Sequence, residues 1–291
     1  MNEIDLVIPS HPITLAGKSI VRLLPYAKRR LVGPFIFLDH LPETTIHAGD
    51  PLDVPPHPHI GLSTLTYLYA GEIEHRDSLG NEVVLKPRDV NWMTAGKGVA
   101  HSERTPDLLR ESSYPFHMLQ FWVALPKEHE EDEPSFEHHD ASTIPEWTQD
   151  DAKVRLIAGS ACGKTSPVKV FSKLFFMSIE LPSDGIFEFE TDGQEAAMYV
   201  LNGAVDLSKV WFGAGSFVVF KTGESIQIHA KEKTELILFG GATLPEPRTI
   251  YWNFVATDKA KIEAAKKRWQ EGAFPKVFHD ETEFVPLPPQ F

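Results

Sequence analysis

The sequence predicts an all-β protein of two antiparallel sandwich or barrel domains, with one short helix near the C-terminus. Three observations predict it. Apolar, β-branched segments recur at intervals of about 8 to 12 residues between Gly-, Asn- and Pro-containing turns, the spacing of antiparallel sheets. Two landmarks repeat: Tyr67-Leu68-Tyr69-Ala70-Gly71 is answered by Tyr199-Val200-Leu201-Asn202-Gly203 at an offset of 132, and Met93-Thr94-Ala95-Gly96 by Phe220-Lys221-Thr222-Gly223 at an offset of 127. Such self-similarity points to a duplicated domain. Only the stretch after Thr257 is rich in helix formers with an apolar stripe of helical period.

In chain order, Ile4-Asp5-Leu6-Val7-Ile8 and Ser19-Ile20-Val21-Arg22-Leu23-Leu24 alternate as strands do. Gly33-Pro34-Phe35-Ile36-Phe37-Leu38-Asp39-His40 is a buried run with a polar end. Leu62 to Tyr69, Gly71 to Asp77, Glu82 to Leu85 and Val90 to Met93 are short strands separated by turns, and His117 to Leu125 is a further apolar strand. Pro126-Lys127-Glu128-His129-Glu130-Glu131-Asp132-Glu133-Pro134 is acidic and without apolar residues, as solvated connectors are. It is expected to open a linker that runs on through Glu137-His138-His139-Asp140. The adjacent His138 and His139 would face opposite sides of a strand and share no metal. The expected organisation is therefore an N-terminal domain at 1–126, a linker at 127–150 and a C-terminal domain at 151–291. The last of these ends in a helix over Asp258 to Gln270, with Ile262, Ala265 and Trp269 on one face and a stop at Gly272, and in an extended Phe284-Val285-Pro286-Leu287-Pro288-Pro289 tail.

The 291 residues suffice for two ordinary domains, and 42% hydrophobic with 24% charged residues is the balance of a globular protein. A net charge of -13 with scattered Lys and Arg argues against direct nucleic-acid binding, which draws on concentrated positive charge. Lys28-Arg29-Arg30, the one tight basic cluster, reads as a solvated turn. Cys162 is the sole cysteine, so no intrachain disulfide forms, and its Gly-, Ser- and Ala-rich neighbours suggest a loop. MNEIDLVIPSHPITL lacks the basic and apolar regions of a signal peptide, and no apolar run approaches the roughly 20 residues of a spanning helix. A cytoplasmic protein is expected, nuclear if the source is eukaryotic, with no membrane association.

The chemistry concentrates in Pro55-Pro56-His57-Pro58-His59-Ile60-Gly61 and Gly96-Lys97-Gly98-Val99-Ala100-His101-Ser102-Glu103. In extended backbone residues i and i+2 share a face, so His57 with His59, and His101 with Glu103, each aim two donors at one point. If the two strands face each other, three imidazole nitrogens and one carboxylate oxygen converge, a donor set for a mononuclear divalent transition metal. The repeat offsets place Phe189, Thr191, Ile228 and Ala230 at the corresponding positions of the second half, with His229 out of phase. The second half is thus expected to hold no metal.

Two β-domains with a His-x-His pair and a later histidine resemble the cupin superfamily. Phe37-Leu38-Asp39-His40, Pro56-His57-Pro58-His59-Ile60-Gly61, Gly96 to Glu103, Trp252-Asn253-Phe254-Val255 and the closing helix and tail resemble the pirin family within it, over nearly the full length and in order. Many cupins carry a glutamate a few residues after His-x-His. Ile60 to Leu65 contain none, and Glu103 fills that role. The resemblance implies a bicupin, two cupin-type antiparallel β-sandwich or barrel domains. It implies one iron, Fe(2+), held by His57, His59, His101 and Glu103 in the N-terminal domain, although the same donors accept Mn, Ni, Cu, Co or Zn. Similarity to quercetinases among pirins implies ring-opening dioxygenation of a flavonol, whose adjacent hydroxyl and keto oxygens suit a metal, with Glu103 as the catalytic proton acceptor. Similarity to eukaryotic pirins implies instead an iron- or redox-dependent co-regulator that contacts a protein partner, for which the acidic surface suits a basic one. A cupin isomerase or oxalate-type enzyme with another metal is a third expectation.

Overall fold

The computed structural model describes residues 3–15 and 17–289, so the outermost residues of both expected domains lie outside the described residues. About half of the chain is strand, and Lys259–Gln270 is the one α-helix among the described residues. The backbone forms two compact units that interleave in sequence. One comprises Met1–Pro12, Val21–Leu38 and Ser142–Leu244, the other Ile13–Ile20, Asp39–Ala141 and Pro245–Phe291. The boundaries read from sequence follow chain order and the compact units do not. Ile4–Ile8 pairs with Phe217–Phe220 in the first unit, while the helix and tail belong with Asp39–Ala141.

In the first unit the sheet order is Ile4–Ile8, Phe217–Phe220, Glu195–Asn202, Thr234–Gly241, Leu174–Leu181, Ala152–Ala161, Glu146–Gln149. A smaller sheet of Ile186–Glu190, Ser225–Ala230, Ala204–Leu207 and Val210–Gly213 shares one core with it. Ile186–Glu190 shows the cause: its residues alternate exposed and buried, sending Phe187 and Phe189 inward beside Phe175, Ile226 and Ile228. Each such side chain contributes about 1.5–3 kcal/mol on full burial.

In the second unit Ser135–His139, Val90–Thr94, Leu62–Ala70 and Tyr114–Ala124 lie side by side in one sheet that continues to Phe35–Ile46. The other sheet runs Val54–His59, Val99–Arg104, Ile73–Asp77, Glu82–Leu85. Leu68, Ile73, Leu85, Phe116 and Met118 fill one part of the interior. The strand Val54–His59 is an edge strand, which is why it tolerates Pro55, Pro56 and Pro58, residues with no N–H to give a second neighbour.

The duplication is visible in the pairing. Leu62–Ala70 lies between Val90–Thr94 and Tyr114–Ala124, and Glu195–Asn202 between Phe217–Phe220 and Thr234–Gly241. Both strands end at a glycine of positive φ, Gly71 and Gly203. The register corrects one detail. His57 lies opposite His101 and His59 opposite Val99, whereas Ile228 lies opposite Phe187 and Ile226 opposite Phe189. With Ile228 at the place of His101, the counterparts of His57 and His59 are Phe187 and Phe189 rather than Phe189 and Thr191. A fixed offset taken from turns slips by two residues where loop lengths differ. All four counterparts, Phe187, Phe189, Ile228 and Ala230, are packed in the core.

The acidic segment expected as a solvated linker is built into the second unit as far as Ala141. Ser135–His139 pairs with Val90–Thr94, and Glu130 is 1% exposed. Thr257 donates to the Glu130 carboxylate from its N–H at 2.8 Å and its hydroxyl at 3.0 Å, and Lys261 Nζ donates at 2.9 Å. Asp258 caps the helix by accepting from Ala260 N–H, and Ile262 and Ala265 are buried beside Phe254 and Phe274. The tail returns: Val285 N–H donates to the Pro56 carbonyl at 2.8 Å, and Trp269 Nε1 to the Val285 carbonyl at 3.0 Å. Among the described residues no helix is long and apolar enough to cross a membrane.

Candidate metal centre

The centre is built on the two neighbouring strands Val54–His59 and Val99–Arg104 of the second unit. Their antiparallel register sets His57 directly across from His101, and the two-residue period puts His59 on the same face. Between His101 and Glu103 the register shifts, because Pro55 and Pro56 cannot donate to the ladder and the edge strand bulges there. The bulge has a chemical consequence: the Pro55 carbonyl accepts from His57 Nδ1 at 3.0 Å, which leaves His57 Nε2 as the bare nitrogen.

The three rings close on one another. Ring centroids lie 5.0 Å apart for His57 and His59, 4.4 Å for His57 and His101, and 5.1 Å for His59 and His101. The Nε2 atoms of His59 and His101 are 3.1 Å apart. Each of the three residues offers a nitrogen within 4.8 Å of those of the other two, and all three are buried. Burial holds the protonation of His57 down to about 4, against the weaker opposing pull of the Pro55 carbonyl. His59 and His101 are lowered well below the ordinary histidine range by burial and by their neighbouring imidazoles. Neutral imidazoles with lone pairs turned inward are what a transition metal requires. With metal–nitrogen bonds of about 2.1 Å, two imidazoles at right angles around one ion bring their nitrogens about 3 Å apart, and the His59–His101 separation matches. His59 Nδ1 is buried without a hydrogen bond; the Asn253 backbone faces it closely enough to oppose the fall in its basicity. The donor set thus fits a metal, and His57, His59 and His101 form a group able to bind one.

Glu103 stands two residues beyond His101 on the same strand and is buried. Among the described residues, the donors that lie within 4.8 Å of one another at this centre are those of His57, His59 and His101, and Glu103 is not among them. The Glu103 carboxyl meets the Thr66 hydroxyl at 3.1 Å, and burial raises its pKa, which Thr66 and His75 partly offset. Thr66 also reaches Gln120 Oε1 at 2.9 Å, and Gln120 Nε2 donates to the Leu65 carbonyl at 3.2 Å. The single Thr66 proton serves one of these oxygens at a time. Trp122 sets its ring edge-on to His59 at 5.3 Å.

Sequence reading missed this surrounding layer. Thr66, Gln120 and Trp122 lie in apolar strands where alternate residues turn to the interior, and only the alternation could have marked them. His75 was the other omission. Its Nδ1 lies 3.4 Å from His101 Nδ1, its Nε2 3.1 Å from Asp77 Oδ2, and its ring stacks on Phe136. Elsewhere His138 Nδ1 meets Asn91 Oδ1 at 2.7 Å and His139 Nε2 meets Glu137 Oε2 at 3.1 Å, so the adjacent histidines turn to different partners. Asp89, His138 and Asp140 form a second, partly exposed group of metal-type donors. Cys162 is exposed in a turn.

Two β-units of one strand plan, with three converging imidazoles on a His-x-His strand and its neighbour, define a two-domain cupin. The chain belongs to the pirin family: the Pirin family model matches residues 17–123 and the Pirin C-terminal cupin domain model residues 176–275. It is 43% identical to a pirin-like protein of Caulobacter vibrioides over 98% of this chain and 99% of that one. The crystal structure of a quercetin 2,3-dioxygenase from Acinetobacter baumannii is similar with a TM-score of 0.89 and 31% identity, covering 98% of this chain and 94% of that one. The bacterial pirin YhhW of Escherichia coli, solved in complex with nickel(II), shares the fold at a TM-score of 0.65 and 19% identity, over 82% of this chain and 99% of that one.

Proposed function

We propose that the chain is a mononuclear iron-dependent dioxygenase of the pirin type that opens a quercetin-like flavonol with dioxygen. The observation that carries this reading is the convergence of three buried, neutral imidazoles with the His59 and His101 Nε2 atoms 3.1 Å apart, beside the buried carboxyl of Glu103. His57, His59 and His101 would hold the ion, with Glu103 as the fourth ligand. The similarity to a quercetin 2,3-dioxygenase over nearly the whole chain supports the reaction class.

When bound, the metal supplies a Lewis-acidic, redox-active centre at which an enolic chelate and dioxygen meet. The chain supplies the rest. Glu103 accepts the proton of the substrate hydroxyl. Thr66 orients that carboxyl with its hydroxyl proton, for which Gln120 Oε1 competes. Trp122 packs on His59 and keeps water from that side of the ring. The sole cysteine and an oxidisable metal suit the reducing cytoplasm.

Oxygen uptake with quercetin, measured on protein loaded in turn with Fe(2+), Mn, Ni, Cu, Co and Zn, tests this reading. Iron-loaded protein is expected to consume oxygen and His59→Ala to lose that activity. No uptake with any metal, or equal uptake by His59→Ala, overturns it.

A further inference from the structure

A buried group beside the centre that the reaction above leaves unused is His75. Three neighbours hold its ring. Phe136 stacks on it with centroids 4.3 Å apart and planes 11° from parallel. Its Nε2 faces Asp77 Oδ2 at 3.1 Å, and its Nδ1 faces His101 Nδ1 at 3.4 Å. Asp77 is fully buried and accepts elsewhere on both oxygens: from Leu79 N–H at 2.8 Å and Asn81 N–H at 3.0 Å on Oδ1, and from Asn81 Nδ2 at 2.8 Å on Oδ2.

These partners fix the direction of each hydrogen bond. A carboxylate that accepts from three donors is an acceptor towards its fourth neighbour also, so His75 carries its proton on Nε2. With Nε2 committed to Asp77, Nδ1 is the ring nitrogen that His75 offers to His101 as an acceptor. Two bare nitrogens cannot share a hydrogen bond, so His101 carries its proton on Nδ1 and turns the Nε2 lone pair towards His57 and His59. We propose that His75, oriented by Asp77, is a positioning residue that locks His101 in its metal-ligating tautomer. This rests on the metal-binding reading given above. His57 receives the same service from the Pro55 carbonyl; His101 receives it from an imidazole backed by a carboxylate, a stronger acceptor that also makes His101 a better donor to the ion. The ladder reinforces the arrangement, since Asp77 lies opposite His101 and His75 opposite Glu103.

Cobalt(II) titration of the full chain, followed by visible absorption and by competition with a chelator, tests the lock. His75→Phe keeps a ring on Phe136 and removes the acceptor; its cobalt affinity is expected to fall about 10–100-fold with altered absorption bands. His75→Gln, whose amide oxygen can accept from His101, is expected to recover most of the loss. Wild-type affinity and bands in His75→Phe, or a His75→Gln no better than His75→Phe, overturn the proposal. A readout that needs no substitution is the long-range proton–nitrogen NMR spectrum of the zinc-loaded wild-type chain. It is expected to place the protons on His75 Nε2 and His101 Nδ1, and a proton on His75 Nδ1, with or without one on Nε2, overturns the proposal. If the wild-type chain binds neither metal, or His59→Ala binds as tightly, the metal reading itself fails and takes the lock with it.

Discussion

His59 and His101 bring their Nε2 atoms to 3.1 Å although 42 residues separate them in sequence. Such a pair, with a His57 nitrogen within 4.8 Å of both, is poised for an ion. Metal loading should therefore stabilise the folded chain. At a free metal concentration of 100 times Kd the gain is about 2.7 kcal/mol, read as a rise in Tm. His101→Ala should bind less than one tenth as much cobalt at a concentration that saturates the wild type, and should show no metal-dependent rise. Equal stoichiometry in the variant would remove His101 from the ligand set.

Gly61 ties the two histidine-bearing strands together. Its N–H donates to the Gly96 carbonyl at 2.9 Å, joining the residue that follows His59-Ile60 to the turn that precedes His101. Its φ is +67°, and a Cβ there would lie 1.9 Å from the Val255 carbonyl oxygen, a backbone atom that cannot swing away. Gly61→Ala is expected to cost about 2–4 kcal/mol in urea unfolding and to weaken metal binding at the same time. A stable variant with intact metal affinity would show that the turn is free to relax.

Arg104, the residue after Glu103, is held by the tail. Its Nε donates to Asp280 Oδ2 at 2.8 Å and its Nη2 to Asp280 Oδ1 at 3.0 Å, a bidentate pair with both partners buried. Removing Asp280 takes the bidentate partner from a buried guanidinium, so Asp280→Ala should destabilise by about 3–5 kcal/mol. Chemical denaturation measures it. A loss below about 1 kcal/mol would mean that Glu283, 2.7 Å from Arg104 Nη2, carries the contact instead.

The histidines were legible because strand geometry is local: a His-x-His on an edge strand must place both rings on one face, and prolines mark that edge. The duplication was legible from apolar strands ending in glycine. The layer around the histidines was not. Whether Thr66 or Gln120 faces Glu103 depends on which of several strands close around one interior, and strand partners are set by tertiary packing rather than by any window of sequence. The acidic run misled for the same reason. Glu130 reads as solvated beside Glu131 and Asp132, yet it is buried because Thr257 and Lys261, over 120 residues away, supply its donors. The interleaving of the units was equally silent, since nothing in Ile4 to Ile8 names Phe217 to Phe220 as its partner.

The last prediction concerns acid. His40 and His117 sit on the neighbouring strands Phe35–Ile46 and Tyr114–Ala124 with their Nε2 atoms 2.8 Å apart. Burial, and then the nearby His117, lower the pKa of His40 from 6.5 to about 3. Burial lowers His117 as well, with Glu43 opposing. The sign follows from proton counting. Between these two values the unfolded chain protonates His40 and the folded chain does not, so the unfolded state binds more protons and stability falls as pH falls. Above pH 6.5 His40 is neutral in both states and its contribution is constant. Between pH 6.5 and 5 the loss attributable to this one group approaches about 2 kcal/mol at 1.36 kcal/mol per unit. His57, His59 and His101 drive the same trend, so the difference between two proteins is the informative quantity. Urea unfolding in the presence of a chelator at pH 5, 6, 7 and 8 should give a steeper decline for the wild type than for His40→Gln, whose neutral amide can still meet His117. Parallel curves would show that the His40 ring takes up its proton in the folded chain without penalty, and that the 2.8 Å contact is made as readily by a charged pair as by a neutral one.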